Sequence, residues 1–241
     1  KATLKVLAGP AKKSRVVTEK DRRLTAYHEA GHAVVSFFLE HVDPVHHITI
    51  VPHGQAGGIT VYRPEEDKSF ISKGEMFERI ISALGGRVVE MLMMDDISTG
   101  ASADIQQATS IARAMVTKYG MSERLGPISF DSSASSVFIG RDFSQVKSYS
   151  EKTAALIDEE VKRIFDEAMG KCKEILTEKK HLLVATAEYL LEHETMTGDE
   201  FKYLCEHDGA LPPSGKAETA EEKKDPDPSP TLAPGIEDQD S

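Results

Sequence analysis

Tryptophan is absent from the 241 residues, and aromatic residues reach only 6%. So little aromatic content argues against a strand-dominated sandwich and for a helix-rich globular protein. Two cysteines, Cys172 and Cys205, are too few for a disulfide framework or a cysteine-based zinc site, and they fit a reducing compartment. Long hydrophobic runs are missing as well. The longest uncharged apolar stretch, Ala33 to Leu39, is far below the ~20 residues that span a bilayer, and no signal peptide opens the chain, so a soluble piece is expected. There is no basic excess: 29 Lys and Arg face 40 Asp and Glu, a net charge of −11 that disfavours nucleic acid as a partner. The first residue is Lys rather than Met, which suggests a fragment of a longer protein.

What remains is length enough for a sizeable core and clear periodic patterning. Thr18 with Asp21 forms a capping pair, and helical spacing predicts a buried helix over Glu19 to Glu40, ended by Asp43-Pro44. Alternation in Val45 to Val51 and Gly57 to Tyr62 predicts a small hairpin. Ser72 with Glu75 opens a helix expected to run to about Met94. The loop Asp95 to Gly100 leads to a further helix from Ser102 to Tyr119, closed by Gly120. After a Gly- and Ser-rich loop from Met121 to Asp142, amphipathic patterns over Ser144 to Thr177, Lys179 to His193 and Thr197 to His207 predict a C-terminal helical bundle. The end of the chain, with six of the 11 prolines and a local acidic excess, reads as a disordered tail. The expected fold is mainly α with a small β hairpin or sheet, and the expected segments are 1–17 as connector, 18–208 as folded domain and 209–241 as tail.

The sharpest chemical signal is His28-Glu29-Ala30-Gly31-His32, an H-E-x-x-H pattern inside a predicted helix. Four residues make just over one turn, so both imidazoles leave one face and can share a Zn²⁺, with Glu29 beside them to deprotonate water. Gly31 weakens the helix but marks close approach by another element. Catalytic zinc takes three protein ligands and keeps one open position. On spacing alone the third ligand is either Glu90 or Asp104. Glu90 has an ordinary alternative in pairing with Arg87, and Asp104 in serving as a helix-start residue. His46, His47 and His53 are weaker candidates, since neighbouring strand residues point to opposite faces. The strand Gly57, Gly58, Ile59, Thr60 and Val61 is expected to offer an unpaired edge to an extended substrate.

Five segments, TAYHEAGHAV, HHITIVPHG, GGRVVEML, STGASADIQQATSIARAMVTKYGMSE and YSEKTAALIDEEVK, occur in an order and spacing that resemble the peptidase domain of the FtsH family, membrane-anchored ATP-dependent zinc metalloproteases. The resemblance covers about residues 1 to 208. It implies one zinc per chain held by His28, His32 and Asp104, with Glu29 as general base and Glu90 and Arg87 as supporting residues. It also implies a homohexamer that degrades unfolded or membrane polypeptides. Family members carry transmembrane segments and an ATPase module that uses ATP and Mg²⁺, but the P-loop pattern G-x-x-x-x-G-K-[ST] is absent here. Residues 1–14 resemble the end of that module, which makes Gly9 a candidate hinge and puts the parent in a bacterial membrane with this domain on the cytoplasmic side. An organellar relative is the other origin that the resemblance allows. The alternative reading is a non-enzymatic helical assembly module with a structural metal site, and Glu29 discriminates the two because such a site has no use for a carboxylate beside its ligands.

Overall fold

The computed structural model describes residues 17–53, 56–64, 68–130 and 149–212. Helix α1 (Glu19–Phe37) starts at Thr18, whose hydroxyl accepts from the Asp21 N–H at 3.1 Å, with Glu19 and Asp21 in its first turn complementing the helix dipole. Its stripe of Ala26, Tyr27, Ala30, Ala33, Val34 and Val35 is buried, which makes α1 the central helix. It packs chiefly on α3 (Gly85–Met93) and α6 (Lys180–His193). Around it lie α2 (Lys73–Ala83), α4 (Ser102–Thr117) and the long α5 (Glu151–Glu178), with α2, α4 and α5 packed on one another.

The expected hairpin is present as β1 (Val45–Thr49) paired antiparallel with β2 (Ile59–Tyr62), in the register Thr49 to Ile59 and Ile48 to Thr60. A third strand, β3 (Thr195–Thr197), extends the expectation: it pairs with the other edge of β1 and gives the order β2-β1-β3. Ile48 and Met196 pair directly and are fully buried, so the sheet's inner face joins the helical core. Glu194 makes this possible. It ends α6 with a left-handed backbone (φ 63°), and its carbonyl accepts from the Ile50 N–H. The final helix α7 (Gly198–Glu206) begins with a capping box between Thr197 and Glu200.

Several boundaries differ from the periodicity. The helix expected over Ser72 to Met94 is two helices, broken at Leu84. The break lets the next residues press on α1: a Cβ on Gly85 would lie 2.8 Å from the Gly31 backbone, and one on Gly31 would lie 2.8 Å from the Gly85 carbonyl oxygen. Helix α1 stops at Phe37 rather than Glu40, α4 at Thr117 rather than Tyr119, and α5 starts at Glu151, capped by Ser150. Gly9 and most of the expected tail and connector lie outside the described residues.

Candidate active site

Helix α1 presents His28, Glu29 and His32 at the floor of a cleft of about 1130 Å³, bounded by β2, the loop at Ser98 to Gly100 and the start of α4. The ring of His28 fits because Gly86 has no side chain; a Cβ there would fall 2.3 Å from His28 Cε1. Asp104, in the first turn of α4, reaches both histidines. Its Oδ2 lies 3.2 Å from His28 Nε2 and 3.6 Å from His32 Nε2, and the two Nε2 atoms are 3.1 Å apart. Ligand atoms of His28, His32 and Asp104 all lie within 4.8 Å of one another, the one such cluster of three among the described residues.

The outer ring nitrogens decide what this cluster can hold. His28 Nδ1 faces Glu90 Oε1 at 3.2 Å and His32 Nδ1 faces the Ser82 carbonyl at 2.9 Å. A carboxylate and a carbonyl can only accept, so both Nδ1 atoms donate. In the neutral rings both Nε2 atoms then aim bare lone pairs at each other and at Asp104, an arrangement that a cation among them stabilises. The spacing suits a tetrahedral zinc ion, whose bonds of about 2.0–2.1 Å separate ligand atoms by roughly 3.3–3.4 Å. The same surroundings favour positive charge at His28. Burial alone would lower the His28 pKa, yet hydrogen bonds to Asp104 and Glu90 raise it to about 9. Burial would raise Asp104, but both histidines hold its carboxyl well below the usual range. These residues therefore fit a zinc ion, with His28, His32 and Asp104 as donors.

Glu90 stands behind the cluster rather than in it. It is 1% exposed and accepts from His28, from the Ser98 N–H and hydroxyl, and from Arg87, which also donates to the Ser98 carbonyl. So complete a set of partners fixes Glu90 and, through it, the His28 ring. Spacing left Glu90 and Asp104 equivalent because both approach His28; the structure puts one at each nitrogen.

Glu29 is buried, and among the described residues its carboxylate has one hydrogen-bond partner, the Thr60 hydroxyl, which donates to Oε2 at 2.8 Å. The other oxygen is left for the cleft. Burial raises the Glu29 pKa, against the lowering effect of His32, His28 and Thr60. Gly58 admits this carboxylate: a Cβ there would lie 2.9 Å from Glu29 Cγ. Strand β2 is an outer strand of the sheet, and Gly57, Gly58, Ile59 and Thr60 line the cleft, with the Thr60 side chain turned to Glu29. The structure keeps His46, His47 and His53 out of the cluster: His46 is exposed, and His53 Nδ1 donates to the Val51 carbonyl. Sequence reasoning missed Thr60 as a partner of Glu29, and missed Ser82, Ser98 and Gly86 altogether. The Gly85-Gly86 pair inside a helical pattern is a signal of close approach that could have flagged the last.

An H-E-x-x-H helix flanked by a small sheet and completed by a carboxylate from a later helix defines a peptidase domain. A profile of peptidase family M41 matches residues 15–204, and the chain belongs to that family. It is 52% identical over 201 residues to the ATP-dependent zinc metalloprotease FtsH 1 of Thermoanaerobacter sp. (strain X514), covering 83% of this chain and 33% of that protein. Identity to the ATP-dependent zinc metalloprotease FtsH of Caldicellulosiruptor bescii is 52% over 207 residues, 86% of this chain and 34% of the relative. For the Bacillus subtilis protein of the same name it is 49% over 212 residues, 88% and 33%. The chain thus spans about a third of the length of these relatives. No helix among the described residues is long and apolar enough to cross a membrane.

Proposed function

We propose that this domain is a zinc endopeptidase whose metal is held by His28, His32 and Asp104 and whose general base is Glu29. The observation that supports it most is the trio of donor atoms converging beside a buried carboxylate with one oxygen free. When bound, zinc supplies Lewis acidity that activates water and polarises the scissile carbonyl. The rest is the chain's own work. The free oxygen of Glu29 takes a proton from the attacking water, Thr60 holds the other oxygen, and the proton passes to the leaving amine as the C–N bond breaks, with no acyl-enzyme. A raised carboxyl pKa suits that shuttle. Glu90 and Arg87 keep the His28 ring in place, and the outer edge made by Gly57 and Gly58 and by Ile59 to Val61 of β2 receives extended substrate backbone.

We further propose that residues 18–208 form the catalytic unit, 1–17 a connector with Gly9 as its hinge, and 209–241 an acidic tail. In the longer protein this unit would work as a homohexamer beside an ATPase module using ATP and Mg²⁺, anchored in a bacterial membrane with the peptidase on the cytoplasmic side and taking unfolded or membrane polypeptides. The relatives' names support the ATP-dependent proteolytic part of that reading, and the third of their length spanned here is consistent with a further module in the longer protein. Elemental analysis tests the centre: about one zinc per chain is expected in the parent and a sharp loss in Asp104→Asn. Zinc retained fully in Asp104→Asn moves the third ligand elsewhere, and a parent that takes up no zinc overturns the proposal.

A further inference from the structure

Behind His32, on the side away from Asp104, three hydroxyl groups from three elements meet in the core. Ser36 on α1 and Ser82 on α2 are 4% and 7% exposed, and their Oγ atoms are 2.7 Å apart. The phenol of Tyr62, from the outer strand β2, lies 3.1 Å from Ser36 Oγ and 3.4 Å from Ser82 Oγ. Ser36 Oγ also donates to the His32 carbonyl at 2.7 Å. Buried hydroxyls are costly unless partnered, so the bonding can be followed proton by proton. Since Ser36 spends its one proton on the His32 carbonyl, it must accept from Ser82, and Tyr62 must donate into the pair. The Tyr62 proton has Ser36 Oγ and Ser82 Oγ within reach, so the three hydroxyls hold one another, and a turn of Ser82 breaks its bond to Ser36.

Ser82 is also the residue whose carbonyl receives His32 Nδ1. Helix α2 ends one residue later, at Ala83; the Leu84 N–H closes its last turn on the Ile80, Ile81 and Ser82 carbonyls, and the Ser82 carbonyl also takes the His32 side-chain donor. A loose helix end would leave that acceptor free to wander. We infer that the Tyr62–Ser36–Ser82 hydroxyl cluster is a positioning device for His32, clamping the end of α2 so that the Ser82 carbonyl fixes the ring's tautomer and the aim of Nε2. None of the three touches the reacting atoms; each acts through His32. Because Tyr62 belongs to the same strand as Thr60, β2 is tied at alternate residues to the base and to a ligand, and a shift of this strand is felt at both.

The inference rests on the zinc reading, and the two can fail separately. The 241-residue chain carrying Tyr62→Phe or Ser82→Ala is compared with the parent for zinc affinity, by chelator competition, and for the visible absorption of the cobalt-substituted protein. Since direct partners of ligand histidines typically account for 10–100-fold in metal affinity, a cluster acting one step further out is expected to account for about 3–10-fold. A shifted cobalt spectrum should accompany the loss, and Ser82→Thr should restore both. Parent-like affinity and spectrum in both variants overturn the inference, as does a lowered melting temperature with the metal readouts unchanged, which would make the cluster merely structural. A parent that binds neither metal overturns the zinc reading and this inference with it.

Discussion

Glu29 and Glu160 are both buried glutamates on long helices, and they could hardly be used more differently. Glu160, on α5, is 0% exposed and accepts from Ser122, from Arg124 and twice from Arg163. Glu29, on α1, accepts from Thr60 and keeps an oxygen open to the cleft. Burial is common to both; the partners separate them. Burial alone would raise Glu160, but Arg163, Ser122 and Arg124 outweigh it and hold the carboxyl below its ordinary value. At Glu29 burial wins and the pKa rises. A carboxylate surrounded by donors stabilises a fold, whereas one left short of donors in a cleft can exchange a proton.

Replacement of the two residues should break the symmetry most sharply. Glu29→Gln is expected to cut peptide cleavage by about 10²–10⁴-fold with zinc content unchanged, measured on an unfolded fluorescent substrate. Gly86→Ala attacks the same half through packing. Its methyl group meets the His28 ring at 2.3 Å, so zinc affinity should fall by about tenfold or more while the melting temperature drops. Thr60→Val removes the hydroxyl that donates to Glu29, and kcat should fall about tenfold with KM little changed; Thr60→Ser should recover most of it. In the other half, Glu160→Gln should cost about 1–3 kcal/mol in denaturant unfolding and leave turnover at low temperature as in the parent. Cleavage lost in Glu160→Gln, or kept in Glu29→Gln, would erase the contrast.

The smallest effect is on pH. Because the folded pKa of Glu160 is depressed, its contribution is fully present above the unfolded value near 4.5 and is lost as pH falls through the folded value. The melting temperature of the parent should therefore decline more steeply than that of Glu160→Gln between about pH 6 and pH 3. Equal slopes would show that Arg163 and Arg124 do not act on this carboxyl.

The two halves also differ in what the amino-acid sequence reveals. His28, Glu29 and His32 lie within one turn and a bit of helix, so periodicity alone brings them together. Asp104 is 76 residues from His28, and its distinction from Glu90 depends on how α3 and α4 pack; in the sequence, family resemblance and not spacing separates the two. The helix break at Leu84 is not placed by periodicity, because apolar spacing runs on through residues 72–94 across Gly85-Gly86, and contact with Gly31 explains the interruption. Strand β3 was hidden for a different reason. Three residues hold no readable alternation, and the turn before it relies on a glutamate with positive φ, a conformation that sequence would assign to glycine or asparagine.

That short strand carries a consequence for the order of assembly. The Thr49 hydroxyl donates to the Glu194 carbonyl across 145 residues, and β3 completes the pairing of β1 just beyond. A nascent chain therefore exposes one edge of β1 until nearly the whole domain has left the ribosome, and contacts of such long range form slowly. The sheet that supports Thr60 beneath the cleft is then among the last parts to close. Proteolytic capacity would arrive late in synthesis, after the helices that enclose it, which pulse proteolysis of chains ending before and after Thr195 would reveal as a sharp gain in resistance at residues 45–62.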